Sequence, residues 1–192
     1  LALHISRTAR VAAGGRLTEV CLGLQRSLGI AARVLPMADE PVATEVRTID
    51  GWLEFQEYFV HRRQEPDVLE LRFAGLADAV PTPEVLDALA GAEAIVIAPS
   101  NPLVSVGPIL GVPGMREAIA SSRARGARVA AVSPIIGGRA LKGPADRMLV
   151  SLGHEASALG VARLYADLCD VFVLDTVDVG LAPAVAALGL RA

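Results

Sequence analysis

No stretch of this sequence is long and apolar enough to span a membrane, because its apolar runs are short and broken by Gly and Pro. Cysteine is scarce: Cys21 and Cys169 stand far apart, without metal-type spacing, each in an apolar helical context. Both read as small buried hydrophobes in a reducing compartment, so the protein is expected to be cytoplasmic, and nothing asks for a disulfide. Positive charge is not in excess either. The formal net charge of −3 argues against nucleic acid or an anionic membrane as a partner. Neither a Walker phosphate loop nor a GxGxxG fingerprint is present, and no Ser-His-Asp or Cys-His order stands out. His61 and His154 have no neighbours that suggest a metal or catalytic role. There is no internal repeat, no low-complexity tract, no initiating Met and no signal-peptide layout. The chain is therefore read as starting inside a helix.

What is present has the composition of a globular core. Of 192 residues, 53% are apolar and 20% charged, which fits one domain, or most of one. Residues 1 to 12 read as a helix ended by Gly14-Gly15, and Thr18 reads as the N-cap of a second that Gly29 closes. Ala31 to Leu35 reads as a short strand stopped by Pro36. Val42 to Ile49 alternates, Asp50-Gly51 marks a two-residue hairpin turn, Trp52 to Phe55 begins the return strand, and Val68 to Phe73 alternates again. From residue 81 the pattern changes. Three continuous apolar strands (Ala94 to Ala98, Arg128 to Val132, Val171 to Asp175) alternate with helices from Pro83, Gly114, Ala156 and Ala182. Short apolar strands between helices predict a mostly parallel sheet covered on both faces. The expected fold is a Rossmann-like, three-layer α/β sandwich carrying an inserted antiparallel hairpin region, with residues 1–80 forming helices and hairpin and 81–192 forming the βα units.

Ligands of open parallel sheets bind beyond the carboxyl ends of the strands. Two loops qualify: Pro99 to Pro108 and Ser133 to Pro144. Each opens with a small polar residue beside proline and is rich in Pro and Gly. Such loops present N–H groups and hydroxyls to a phosphate or nucleobase. Asn101 offers both donor and acceptor for a base, and Lys142 a point charge for a phosphate. The same residue types also suit ordinary strand-to-helix turns. Phe55-Gln56-Glu57-Tyr58-Phe59-Val60 either lines a flat heteroaromatic pocket or packs the hairpin onto the sheet. His4 and Arg7, one helical turn apart, either meet a phosphate or face solvent. Asp175 and Asp178 follow the last strand, as solvated acids or as Mg²⁺ ligands.

Taken together, several segments resemble the 2-phospho-L-lactate transferase family. They are Pro99-Ser100-Asn101-Pro102 with Ser105 to Leu110 and Val112 to Arg116, and Val132 to Gly137 with Lys142-Gly143-Pro144-Ala145. Leu35-Pro36-Met37, Pro41-Val42, Thr44, Phe55-Gln56-Glu57, Gly160-Val161-Ala162, Tyr165 and Asp170 to Val173 follow in the family's order over essentially the whole chain. The resemblance implies transfer of a phospholactyl group, or an enolpyruvyl-phosphate group, from a guanosine diphosphate derivative to the ribityl hydroxyl of the deazaflavin Fo. GMP leaves, Mg²⁺ is the cofactor, and the enzyme is a homodimer. It further implies that Ser100, Asn101, Ser105, Ser133, Gly137, Lys142 and Gly143 contact the nucleotide. Phe55 and Gln56 would lie near the substrate cleft, and His4, Arg7 and Thr8 on a helix bordering the phosphates. The family's Gly-rich first strand and its acidic metal-binding residues find no match here, so the domain is expected to be incomplete at both ends, with the catalytic and metal residues before Leu1. The contrasting expectation is a non-catalytic, UDP-sugar-binding regulator with a related Rossmann-like core.

Overall fold

The computed structural model describes residues 1–192. Two helices come first, α1 (Ala2–Ala12) and α2 (Leu17–Ser27), packed on each other. Strands β1 (Ala43–Thr48), β2 (Gly51–Glu54) and β3 (Glu70–Ala74) form an antiparallel sheet in the order β2-β1-β3. Helix α3 (Pro83–Ala90) leads into β4 (Ala94–Ile97), then α4 (Gly107–Gly111), α5 (Met115–Ala124) and β5 (Arg128–Val132). The two-residue strands β6 (Ile135–Ile136) and β7 (Arg139–Ala140) pair across a glycine turn. Helices α6 (Ala145–Ser151) and α7 (Ala158–Tyr165), strand β8 (Val171–Val173) and helix α8 (Ala182–Ala186) complete the chain. No helix is long and apolar enough to cross a membrane.

Strands β4, β5 and β8 are parallel in that order, as their apolar runs between helices predict. The α/β, Rossmann-like architecture is therefore present, with the antiparallel hairpin inserted before it. One face of this sheet carries Ile97, Val129, Ala131 and Phe172, which share the main core with Ile119 of α5 and Val161 and Tyr165 of α7. Burying the larger of these side chains, valine and above, contributes about 1.5–3 kcal/mol each. The opposite face is more open: Val96 is 62% and Val173 46% exposed. Cover on both faces was expected from the unbroken apolar strands. The residues of this chain supply it fully on one.

Three local expectations differ from the structure. Ala31 to Leu35 forms no strand. The Gln25 side chain holds both main-chain groups of Val34, accepting from its N–H at 2.8 Å and donating to its carbonyl, so no ladder partner is available. Thr18 is not the cap of α2. Arg16 occupies that position, and Thr18 lies inside the first turn with its N–H donated to Asp39 Oδ1 at 2.8 Å. Arg16 in turn bridges Asp39 (2.8 Å) and Glu84 (3.0 Å), tying α2 to α3. The hairpin turn lies one residue earlier than Asp50-Gly51: Thr48 pairs with Gly51, leaving Ile49-Asp50 as the loop. The Thr48 hydroxyl accepts the Asp50 N–H at 3.2 Å, and Gly51 takes φ of 109°, a conformation open to glycine.

Candidate functional site

A cleft of about 950 Å³ lies beyond the carboxyl ends of β4 and β5. One wall is the loop after β4, with Ser100, Asn101 and Ser105. The second is the stretch after β5, with Ser133, Lys142 and Gly143. The third comes from the hairpin region, with Phe55, Phe59 and Gln64. Adjacent parallel strands place their following loops side by side, which is why two segments some thirty residues apart meet here.

The loop after β4 is a π-helical turn, Pro102–Val106. Asn101 caps it: Oδ1 accepts the N–H of Leu103 at 2.9 Å and of Val104 at 3.3 Å, and Nδ2 lies 3.4 Å from Met148 Sδ. The acceptor half of this amide is thus engaged by the fold, and only its N–H capacity remains for a ligand. The Ser133 hydroxyl is likewise internal. It donates to the carbonyl of Ile135 at 2.8 Å and accepts that residue's N–H at 3.1 Å, so Ser133 shapes its loop. The main-chain N–H groups of Ser100, Lys142 and Gly143 donate to no other main-chain group.

Lys142 is the one lysine of the chain and the one charged residue lining the cleft. It is exposed and forms no ion pair. Gly137, expected to offer its N–H to a ligand, donates it to Asp178 and does not line the cleft. Asp178 is therefore a buried structural acceptor, neither a solvated acid nor free for a metal. Asp175 caps the 3-10 turn that follows β8 by accepting the Val177 N–H at 3.0 Å.

In the third wall, Phe55 and Phe59 stack with ring centroids 5.5 Å apart and 30° between planes. They sit one turn apart around a π-helical segment, Glu57–His61. Behind them Tyr58 joins Val46, Val68 and Met148 in a second small core. Burial pushes the Tyr58 phenol above its ordinary value. Gln56 is exposed and does not line the cleft, and His4, Arg7 and Thr8 lie exposed on α1, also outside it. Gln64 was not singled out by its sequence context. Its place is set by Tyr58 and by Arg147 of α6, the latter too distant along the chain to leave a local signal. Arg63 and Gln64 both adopt left-handed conformations, φ 52° and 61°, which cost about 1–2 kcal/mol per non-glycine residue.

No group of three or more His, Cys, Asp or Glu side chains is placed to hold a metal ion, and no carboxylate lines the cleft. The residues of this chain do not form a magnesium cage.

The family model described as 2-phospho-L-lactate transferase CofD matches residues 1–183. The chain is 42% identical over 177 residues to a 2-phospho-L-lactate transferase of Methanosarcina mazei, covering 92% of this chain and 57% of that one. It is 42% identical over 195 residues to a phosphoenolpyruvate transferase of Streptomyces griseus, covering 99% of this chain and 60% of that one. The chain thus spans less than two thirds of the length of these relatives. Two crystal structures of a Bacillus halodurans protein of the upf0052 family share the fold, at 20% and 17% identity, with TM-scores of 0.67 and 0.62 over 97% and 95% of this chain and 62% and 56% of those chains.

Proposed function

The chain belongs to the 2-phospho-L-lactate transferase CofD family, and on that premise we propose that the protein moves a 2-phospholactyl or enolpyruvyl-phosphate group from a guanosine diphosphate derivative to the ribityl hydroxyl of the deazaflavin Fo, in coenzyme F-420 biosynthesis. The observation that carries this reading is the meeting of the Ser100 loop, the Lys142 loop and the Phe55–Phe59 wall in one cleft. One side of that cleft suits a diphosphate and the other a flat ring.

In this reading the hydroxyl oxygen forms a bond to the distal phosphorus. The bond from that phosphorus to the bridging oxygen breaks, GMP leaves with the electron pair, and the hydroxyl proton passes to solvent. Transfer of this kind depends mainly on positioning and charge stabilisation. The Lys142 ammonium offsets diphosphate charge, and the hydroxyls of Ser100 and Ser105 with the N–H groups of Lys142 and Gly143 hold phosphate oxygens. The N–H of the Asn101 amide meets the nucleobase. Phe55 and Phe59 give the deazaflavin a flat surface and keep water from it. Magnesium is implied by the family resemblance, but these residues supply no ligand set for it. Homodimeric assembly and a cytoplasmic location belong to the same proposal.

The test is a thermal-shift titration with GDP, GMP, ADP and a UDP-sugar, followed by a transfer assay with Fo. A ligand that binds only the folded state raises the melting temperature. A shift specific to guanine nucleotides is expected, with formation of phospholactyl-Fo or enolpyruvyl-phospho-Fo and GMP when the guanosine diphosphate-linked donor is supplied. A shift with the UDP-sugar alone and no transfer would identify a sugar-nucleotide sensor instead.

A further inference from the structure

Arg63 and Gln64 are the only non-glycine residues with positive φ, and they are adjacent. The corner they make joins the π-helical segment to the approach to β3, and it is held from two directions. The Gln64 N–H donates to the Tyr58 carbonyl at 3.0 Å. The Gln64 carbonyl accepts from the Tyr58 hydroxyl at 3.5 Å and from Arg147 Nη2. Tyr58 is buried in the second core, while Arg147 stands on α6, directly after the Lys142 loop. Strained backbone persists where surrounding structure over-determines it, and it clusters at ligand sites. The side chain of Gln64 is half-buried; both of these bonds are to its main-chain carbonyl, and its side-chain carboxamide makes no hydrogen bond within the protein. Gln64 lines the cleft beside the stacked rings of Phe55 and Phe59.

An unengaged carboxamide beside two aromatic faces matches one ligand chemistry well: a planar heteroaromatic ring whose edge carries an N–H next to a carbonyl. The amide oxygen accepts the N–H while its NH₂ donates to the carbonyl. Resting on the reading of the cleft as the acceptor site, we propose that Gln64 is a specificity-determining residue that hydrogen-bonds the imide edge of the deazaflavin ring lying on Phe55 and Phe59, and that Arg147 is its positioning residue, acting through the Gln64 carbonyl.

The experiment is a fluorescence titration of the protein with Fo and with its analogue methylated at the ring imide nitrogen, beside calorimetric titration with GDP. Wild type is expected to bind Fo about tenfold or more tightly than the methylated analogue, as a site that pairs a ligand N–H rejects the analogue lacking it. Gln64→Asn accepts the left-handed conformation but is too short, and Gln64→Gly removes both strain and side chain. Both variants are expected to bind the two ring compounds equally, with unchanged or raised melting temperature and GDP affinity within about twofold. Arg147→Met is expected to raise the KM for Fo about fivefold at nearly constant kcat, the loss of one charge-assisted hydrogen bond, and Arg147→Lys to restore it. Variants of Gln64 that still discriminate, or a wild type that binds Fo and its analogue alike, overturn the proposal and leave the acceptor reading standing. If GDP binds and Fo does not, the acceptor reading fails and the proposal falls with it.

Discussion

Asp178 accepts the main-chain N–H of Gly137 through both carboxylate oxygens, at 3.2 and 3.0 Å. This contact fastens the turn after β8 to the glycine turn between β6 and β7. Asp178→Ala leaves a main-chain donor without its acceptor and is expected to cost about 2 kcal/mol of stability. Asp178→Asn keeps one acceptor and is expected to cost about half as much. Urea unfolding decides, and three equal midpoints would deny the contact its role.

Asn101 serves the fold with its oxygen and has only its nitrogen left for a ligand. Asn101→Asp retains the cap and is expected to melt near wild type while binding GDP less well. Asn101→Ala loses the cap as well, at about 1 kcal/mol. If the two variants bind GDP equally weakly and melt at the same temperature, the division of labour within this amide is refuted. Inorganic phosphate binding is expected to change less than GDP binding in the uncharged Asn101→Ala variant.

Asp170 joins β5 to the end of α7. Its carboxylate accepts the Val129 N–H at 2.9 Å and the Arg123 Nε–H at 2.8 Å, and these contacts hold it below the usual carboxylate value of 3.8. Its folded carboxyl therefore titrates below its unfolded one. The stabilisation is fully present above the unfolded value and is lost as pH falls through the folded value. The melting temperatures of wild type and Asp170→Asn are expected to differ at neutral pH and to converge below the usual carboxylate value. A difference that stays constant down to the lowest pH would rule this linkage out.

Cys169 is buried between α7 and β8, and burial pushes its thiol up to about 11. Cys21 is half-buried on α2. Iodoacetamide at pH 8 is expected to modify Cys21 in the native protein and Cys169 only after denaturation, because the thiolate is the reactive form and needs access. Peptide mass spectrometry of both states reads this directly, and rapid native labelling of Cys169 would contradict its placement.

Much of the frame was legible because periodicity and strand adjacency are local or nearly so. Helix α3 and strand β5 fall where Pro83 to Ala90 and Arg128 to Val132 were read. The loops after Ile97 and Val132 meet because parallel neighbours end at one edge. What escaped depends on side chains that reach across the chain. Gln25 occupies Val34 and so removes a strand, Asp39 replaces the local cap of α2, and Asp178 takes the N–H of Gly137. Residue type told that Asn101 and Ser133 were polar. It did not tell that the fold already uses their oxygens. The open side of the parallel sheet at Val96 and Val173 was invisible for a related reason: an apolar strand records its preference for cover, not which residues provide it.

Guanidinium groups supply every other side-chain cation of these residues, so Lys142 is the single side-chain amine. Its position at the cleft makes the molecule a self-reporting reagent. Amine acetylation read peptide by peptide then reports occupancy by protection: a ligand seated on this ammonium shields it, and the peptide that carries it holds no second lysine.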